Sequence, residues 1–448
     1  MQPLLLPAAA VVLIIVGTSR WRLHPFLVLL TVSLVLGLCS DMSLAYVIGS
    51  IGDGFATTVA SIGLIVVAGS LIDIFLSRSG AGAQLAAAIA GRSERRHGPA
   101  MMAAVGYVGG IAAFRDAAFV LLMPLVRAVA RHSGQPPVTG AIALALALSA
   151  THGVLPPTPG PVAATAILSA DIGRVALWGW GLAAVLCVCG WAFAVVVCRA
   201  TPSAARDEGP EDGIDPAPAA AALRPGVLVA ALPILLPMLL LSISSLGQMP
   251  SEPLGGGPTR ELLLTLGRPV TLMLAAGGAV LLLPRPLRMA MLAENGWAGE
   301  AMARAAGTLL IVGAGGGFAR VLQNAGVGDA LADSLTNAQL GILLPFLIAA
   351  VLKTSQGSSM LAVLTTAGMV VPMLGTLGLE GETARDLTVV AIGAGAMCVS
   401  HANDSLFWVV TRLTGLSTAQ GYRLLTLGTL LQAAVAAALL ATAAFVVI

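Results

Sequence analysis

The sequence predicts an all-α polytopic membrane protein made of two inverted-topology repeats, with about ten crossings, two re-entrant hairpins and two broken helices. Three observations carry that prediction. First, only 10% of the 448 residues are charged and 57% are hydrophobic, whereas an ordinary soluble domain is about 25% charged. Second, mean hydropathy is +0.94, and the apolar runs are long and continuous instead of alternating, which argues against a β-barrel. Third, the apolar runs are interrupted at matching places in the two halves of the chain. A soluble fold could not hide so much apolar surface, so composition excludes a soluble enzyme, a nucleic-acid binder and a disordered chain. The net charge of +2 implies no acidic partner.

A bilayer crossing needs about 20 apolar residues. Crossings are expected near 3–18, 24–40, 56–76, 138–170, 174–198, 225–247, 263–283, 302–323, 386–412 and 422–448. The first begins at Leu4 with no basic region before it and no persuasive cleavage site, so it reads as a retained span and not as a signal peptide. Stretches 99–131 and 340–378 are too long for one helix and too interrupted for two. They hold Gly109-Gly110 and Gly357-Ser358-Ser359 near their middles, which suits a pair of half-helices that enter and leave by one face. Five cysteines (Cys39, Cys187, Cys189, Cys198, Cys398) show no metal-binding spacing and read as small buried hydrophobes.

Arginine placement sets the orientation. Arg20, Arg22, Arg78, Arg92, Arg95, Arg96, Arg127, Arg131, Arg199, Arg206, Arg224, Arg285, Arg288, Arg304, Arg412 and Arg423 fall on one side. Only Arg174, Arg260, Arg268 and Arg385 fall on the other. Both termini are then periplasmic. Residues 201–224 carry five of the 21 acids with several prolines and glycines, the composition of a flexible cytoplasmic linker. The linker separates an N-terminal repeat, 1–200, from a C-terminal repeat, 225–448.

The halves resemble one another at a steady offset of 246–249 residues: Gly69 with Gly315, 79–82 with 325–328, Leu85-Ala86 with Leu331-Ala332, Pro124 with Pro372, and Thr151-His152 with Ser400-His401. Each half holds an odd number of crossings, so one must be inverted relative to the other.

The chemistry is expected at the interruptions. ATHGVLPPTPGPVAA, 150–164, holds Pro156, Pro157, Pro159 and Pro161, which forbid a continuous helix. Its counterpart SHANDSLFW, 400–408, packs Ser400, His401, Asn403, Asp404 and Ser405 into six residues of a membrane segment. Lipid does not tolerate the freed backbone groups, so both breaks must face protein, water or a ligand. Half-helix N-termini attract anions. The bland alternative is a kinked helix with capping side chains.

The first hairpin places Arg115 beside Asp116, although a charge at the bilayer centre costs at least about 2.5–3.5 kcal/mol. They are either a mutually neutralising pair or the holders of a substrate carboxylate and a proton, since burial disfavours the charged form of a carboxyl. The second hairpin begins VLKTSQGSSM, and Lys353 is the only lysine in the chain. Lys353 either snorkels to the interface or reaches the cavity. Gln356, Ser358 and Ser359 either bind solute hydroxyls or satisfy their own backbone, and Gly357 permits close backbone approach. Gly313-Ala314-Gly315-Gly316-Gly317 permits tight helix packing.

These pieces resemble the gluconate:proton symporter family (GntP-type permeases) of the ion-transporter superfamily. The resemblance is carried by THGVLPP-x-PGP at 151–161, GAGGGF at 313–318, Lys353 before Gln356-Gly357-Ser358, and SHANDSLFW at 400–408, which span both halves. It implies proton-driven uptake of sugar acids or small hydroxy-carboxylates at a bacterial inner membrane, and a homodimer. The chain departs from the family's usual pattern at three positions: Thr158 replaces a second histidine, Arg115 replaces an aromatic before the hairpin acid, and Lys353 stands where arginine is usual.

The expected substrate contacts are Arg115, Thr151, His152, Gly153, Lys353, Gln356, Gly357, Ser358, Ser359, Ser400, Asn403 and Ser405. The expected proton sites are Asp116, His152, His401 and Asp404, histidine being suited to a proton gradient. No cofactor or metal is expected. Sodium coupling is the near rival. A membrane-embedded metal enzyme lacks the usual ligand motif, and a passive channel would not accumulate solute.

Overall fold

The computed structural model describes residues 2–90, 97–112, 115–133, 135–156, 158–199, 226–247, 255–283, 287–326 and 340–447. The linker 201–224 lies outside the described residues. So do Arg92, Arg95, Arg96, Phe114, Pro157, Arg285, Leu331-Ala332 and the last two residues of 325–328.

Among the described residues there is no strand. Helix α1, Gln2–Ile15, continues as a π turn to Arg20, and α2 spans Pro25–Cys39. Helix α3 is Leu44–Arg78, followed by α4, Ala81–Ala90. The first helix pair is α5, Gly98–Ala112, with α6, Arg115–Ser133; α7, Pro137–Val154, and α8, Pro159–Ile167, flank the first break; α9 is Ile172–Arg199. After the linker come α10, Val227–Gly247, α11, Pro258–Leu266, α12, Pro269–Val280, and α13, Trp297–Asn324. The second pair is α14, Leu343–Gln356, with α15, Ser359–Val370; α16, Glu382–Gly395, and α17, Ser405–Thr414, flank the second break; the last helix, α18, is Thr418–Val447 with a π turn at Tyr422–Thr426.

The chain thus runs twice through one order: helix pair, broken helix, long helix. Six described spans are long and apolar enough to cross a bilayer, one of them being α7 and α8 taken together, and the bent pair α11–α12, at 58°, makes a seventh. The remaining expected crossings are short, such as α2, or broken, such as α16–α17, and length alone does not count them.

Three expectations are corrected. The third crossing starts at Leu44 and not near 56, because Ser43 caps the helix by accepting from Tyr46 N at 3.3 Å and the polar residues after it do not break it. In the first pair Gly109-Gly110 is not the turn: α5 continues to Ala112, and a Cβ at Gly110 would overlap the Thr151 hydroxyl on α7. Gly110 is there because two helices cross too closely for any side chain. The second pair does turn at Gly357, whose φ of 73° disfavours other residues. Of the cysteines, Cys187 and Cys398 are buried while Cys39 is exposed.

The centre of the molecule is α7, buried without interruption from Gly140 to Thr151. Apolar side chains exposed on α9, α10 and α18, such as Leu177, Val188, Leu228 and Phe445, suit a lipid-facing surface. The glycine run of α13 does what its composition allows. Gly313 lies against the Phe55 ring, Gly317 lies 3.0 Å from Ile51 O as measured from an added Cβ, and Gly315 receives the ring of Trp408. That last contact seats α17 on α13.

Each helix pair packs its second helix on the half-helix of the opposite half: α6 on α17, and α15 on α8. The α6–α17 contact is fixed at both ends. Arg115 at the start of α6 binds Asp404 at the start of α17, and Arg127 near the end of α6 donates to Leu413 O at 2.8 Å near the end of α17. The two helices therefore run parallel.

Candidate functional site

The second break is a polar segment that apolar helices cannot satisfy, so other elements must. Thr429 on α18 accepts from Ser400 N at 3.1 Å, and Thr426 donates to Ser400 O at 2.6 Å. Trp408 Nε1 donates to Ala402 O at 2.7 Å. Asn403 Nδ2 donates to the carbonyls of Thr354 and Ser355 at 2.7 and 3.2 Å, and His401 Nε2 donates to Thr354 O at 2.7 Å. A carbonyl can only accept, so this contact assigns the ring proton to Nε2. The tip of the second pair is thereby tied to the break. Gly357 lies so close to the carbonyl of Asn403 that a Cβ would overlap it.

Asp404 is the hub. It caps α17, accepting from Leu406 N at 3.2 Å. Arg115 Nη2 donates to both its oxygens, at 2.8 and 3.0 Å. Lys353 Nζ donates to Oδ2 at 2.8 Å and to Gly357 O at 2.8 Å, and Ser400 Oγ donates to Oδ2 at 2.7 Å. Two cations and a helix N-terminus converge on one carboxylate whose side chain is 1% exposed. The snorkelling alternative for Lys353 fails, because its side chain is fully buried. Arg115 and Lys353, from the two different helix pairs, thus meet on this one group.

Asp116 sits beside it in a different situation. Ser405 Oγ donates to one of its oxygens, and Arg115 Nε stands 3.4 Å from the other. Its side chain is 15% exposed.

Several buried polar atoms on the helix starts, tip and break described above have no hydrogen-bond partner: Arg115 Nη1, Gln356 Oε1, Ser359 Oγ, His401 Nδ1 and Asn403 Oδ1. Each such atom costs about 1–3 kcal/mol if left unmet. They combine an anion-binding donor with hydroxyl-binding acceptors, the complement of a polyhydroxylated carboxylate.

Of the residues singled out by sequence, the structure brings together Arg115, Asp116, Lys353, Gly357, Ser400, His401, Asn403, Asp404 and Ser405, with Gln356 and Ser359 next to Gly357 and Ser358 in the chain at the tip of the second pair. Others have local duties. Thr151 Oγ1 bonds back to Ala147 O and Leu148 O at 3.0 and 3.2 Å, and Gly153 packs against Gly393 where α7 crosses α16. The exposed Ser358 caps α15, accepting from Leu361 N at 3.3 Å. His152 stands beside the first break, its carbonyl accepting from Thr158 Oγ1 at 3.1 Å. The first break offers few free donors, since Pro159 and Pro161 have no N–H, Thr158 N donates to Leu155 O and Val162 N to Thr158 O, each at 3.2 Å.

Sequence reading missed Thr426, Thr429 and Gln432. Gln432 Nε2 donates to Leu146 O and Leu186 O at 3.1 and 2.8 Å, joining α18 to α7 and α9. An amide in the apolar body of the helix, well past its capped start at Ser417, was the available signal. A separate surface cavity of about 590 Å³ lies between α3 and α13, lined by Tyr46, Ser50, Asp53, Thr57, Arg320 and Asn324. It shares no residue with the charged cluster. Among the described residues no three His, Cys, Asp or Glu side chains are placed to hold a metal.

Residues 2–446 match the family model described as GntP family permease. The chain is 31% identical over 437 residues to the gluconate permease of Pseudomonas aeruginosa, covering 94% of this chain and 93% of that one. It is 30% identical over 415 residues to the high-affinity gluconate transporter of Escherichia coli K12, covering 91% of each. It is also 27% identical over 412 residues to the L-idonate transporter of the same organism, again covering 91% of each.

Proposed function

The chain belongs to the GntP permease family, and on that premise we propose that it takes up gluconate-like sugar acids or small hydroxy-carboxylates together with protons across a bacterial inner membrane. It is a multi-pass membrane transporter and not an enzyme. The finer reading has ten crossings in two inverted repeats, both termini periplasmic, and a homodimer. The repeated element order and the reciprocal packing of α6 on α17 and α15 on α8 support the repeats.

One observation carries the functional reading. Four charges, three of them buried and Asp116 partly exposed, sit together where a broken helix meets both helix pairs, with unpaired polar atoms on the same elements. The substrate carboxylate binds the free face of Arg115, within the positive field of Lys353. Gln356, Ser359, Asn403, Ser400 and Ser405 take its hydroxyls. Asp116 carries the proton, and His401 is held in one tautomer by the carbonyl of Thr354. Thr151, Gly153 and Ser358 shape the site by packing and capping, and His152 lines its first-break side. No cofactor takes part.

The test is uptake of labelled D-gluconate into vesicles of purified protein. An inward proton gradient is expected to drive accumulation, and a sodium gradient at clamped pH is expected to leave uptake at the passive level. Sodium-driven accumulation at clamped pH would replace the proton reading.

A further inference from the structure

The two buried acids differ in their partners, and that difference fixes the charge balance of transport. Asp404 accepts five hydrogen bonds, from Arg115 (two), Lys353, Ser400 and Leu406 N. To take a proton it would have to surrender bonds to two cations in a low-dielectric site, where charge-assisted bonds are strong. Asp116 accepts one hydrogen bond, from Ser405, and has an oxygen with no hydrogen-bond partner. The charges within Coulombic reach of Asp116 are Arg115, Asp404 and Lys353. Asp73 on α3 is engaged at the opposite end of α6 by Arg127, and His401 faces Thr354.

We infer that Asp404 is a fixed internal counter-anion and Asp116 the one exchangeable proton acceptor, so that the site is electrically balanced both when empty and when it holds one proton with one monoanion. This rests on the transport reading above. In the empty site Arg115 and Lys353 balance Asp116 and Asp404. A monoanion alone leaves one negative charge in excess, and a proton alone leaves one positive. Both half-loaded forms carry a net charge into a low-dielectric barrier, which is costly. A proton taken by Asp116 outside and released inside restores balance only in company with one monoanion. Transport is therefore electroneutral at one proton per anion, and a dianion is refused because its second charge has no partner.

The experiment uses purified protein in vesicles, with D-gluconate as the probe and D-glucarate as its dianionic analogue. Exchange of labelled for unlabelled gluconate without any gradient tests the transport reading itself, and absent exchange overturns both. With exchange present, one unit of pH gradient is expected to give about tenfold accumulation, since one proton per anion at about 1.4 kcal/mol is a factor of ten. An imposed membrane potential without a pH gradient is expected to give none. Potential-driven accumulation overturns the charge balance while leaving the transport reading intact. A tenfold excess of glucarate is expected to leave gluconate exchange unchanged, and competition at equal concentration overturns the monoanion rule.

Asp404→Asn leaves an unbalanced cation, so a monoanion binds without a proton and the pH gradient no longer concentrates it. Lys353→Gln with Asp404→Asn removes one charge of each sign and is expected to recover gradient-driven accumulation. Equal tenfold accumulation by wild type and Asp404→Asn would exclude the counter-anion role. Where the single variant does not fold, the wild-type potential and glucarate measurements decide.

Discussion

The molecule contains two versions of one contact, a second pair-helix on the half-helix of the opposite half, and they differ in chemistry. Where α6 meets α17, Arg115, Asp116, Asp404 and Ser405 form ion pairs and hydrogen bonds. Where α15 meets α8, Val363 packs on Gly160, an added Cβ lying at an ordinary 3.7 Å, and among the described residues no ion pair joins the two helices. Similar backbone arrangements have received a charged joint on one side and an apolar joint on the other. Packing alone serves the second. The first carries charges that packing does not need, which is why function is assigned there.

Three substitutions probe the contrast, in falling order of effect. Arg115→Met leaves Asp116 without its cation and Asp404 with only Lys353. Removing one partner of a buried ion pair costs about 3–5 kcal/mol, and thermal unfolding in detergent should show a large fall in Tm with loss of uptake. A Tm within a few degrees of wild type would mean the charged joint contributes no more than the apolar one. Gly357→Ala meets both a φ of 73° and the carbonyl of Asn403. Backbone strain of this kind costs about 1–3 kcal/mol, and uptake is expected to fall at least tenfold while the protein still folds. Gly160→Ala, at the apolar joint, has room and gains helix propensity. Its stability should stay within about 0.5 kcal/mol of wild type, with uptake near normal. A loss as large as that of Gly357→Ala would show the apolar joint to be equally constrained.

Much of the charged joint was legible because polar residues in membrane segments need a reason to be there. Lys353, Arg115-Asp116 and the run from Ser400 to Ser405 stood out for that reason alone. Who pairs with whom did not. Arg115 and Asp404 are 289 residues apart, and nothing local favours that pair over Arg115 with Asp116. The threonines of α18 were hidden because a hydroxyl in a helix can bond its own preceding turn, so Thr426 and Thr429 resembled Thr151, which does so. Thr151 and Gly153 show the converse. They lie within the motif that marks the break, but their neighbours on α5 and α16 recruit them for close packing, which spacing does not reveal.

Arg127 binds Asp73 on α3 as well as the carbonyl of Leu413, while Arg304 Nη1 stands 3.6 Å from the same Asp73 and Arg304 Nη2 binds Glu300 at 2.8 Å. Helices α6 and α17 are thus lashed into a single rod whose far end is moored to α3. Any movement of that rod past α3 would have to cast off the mooring while keeping the lashing, so a change that slackens Asp73 is expected to alter how often the carrier cycles more than how firmly it grips its cargo.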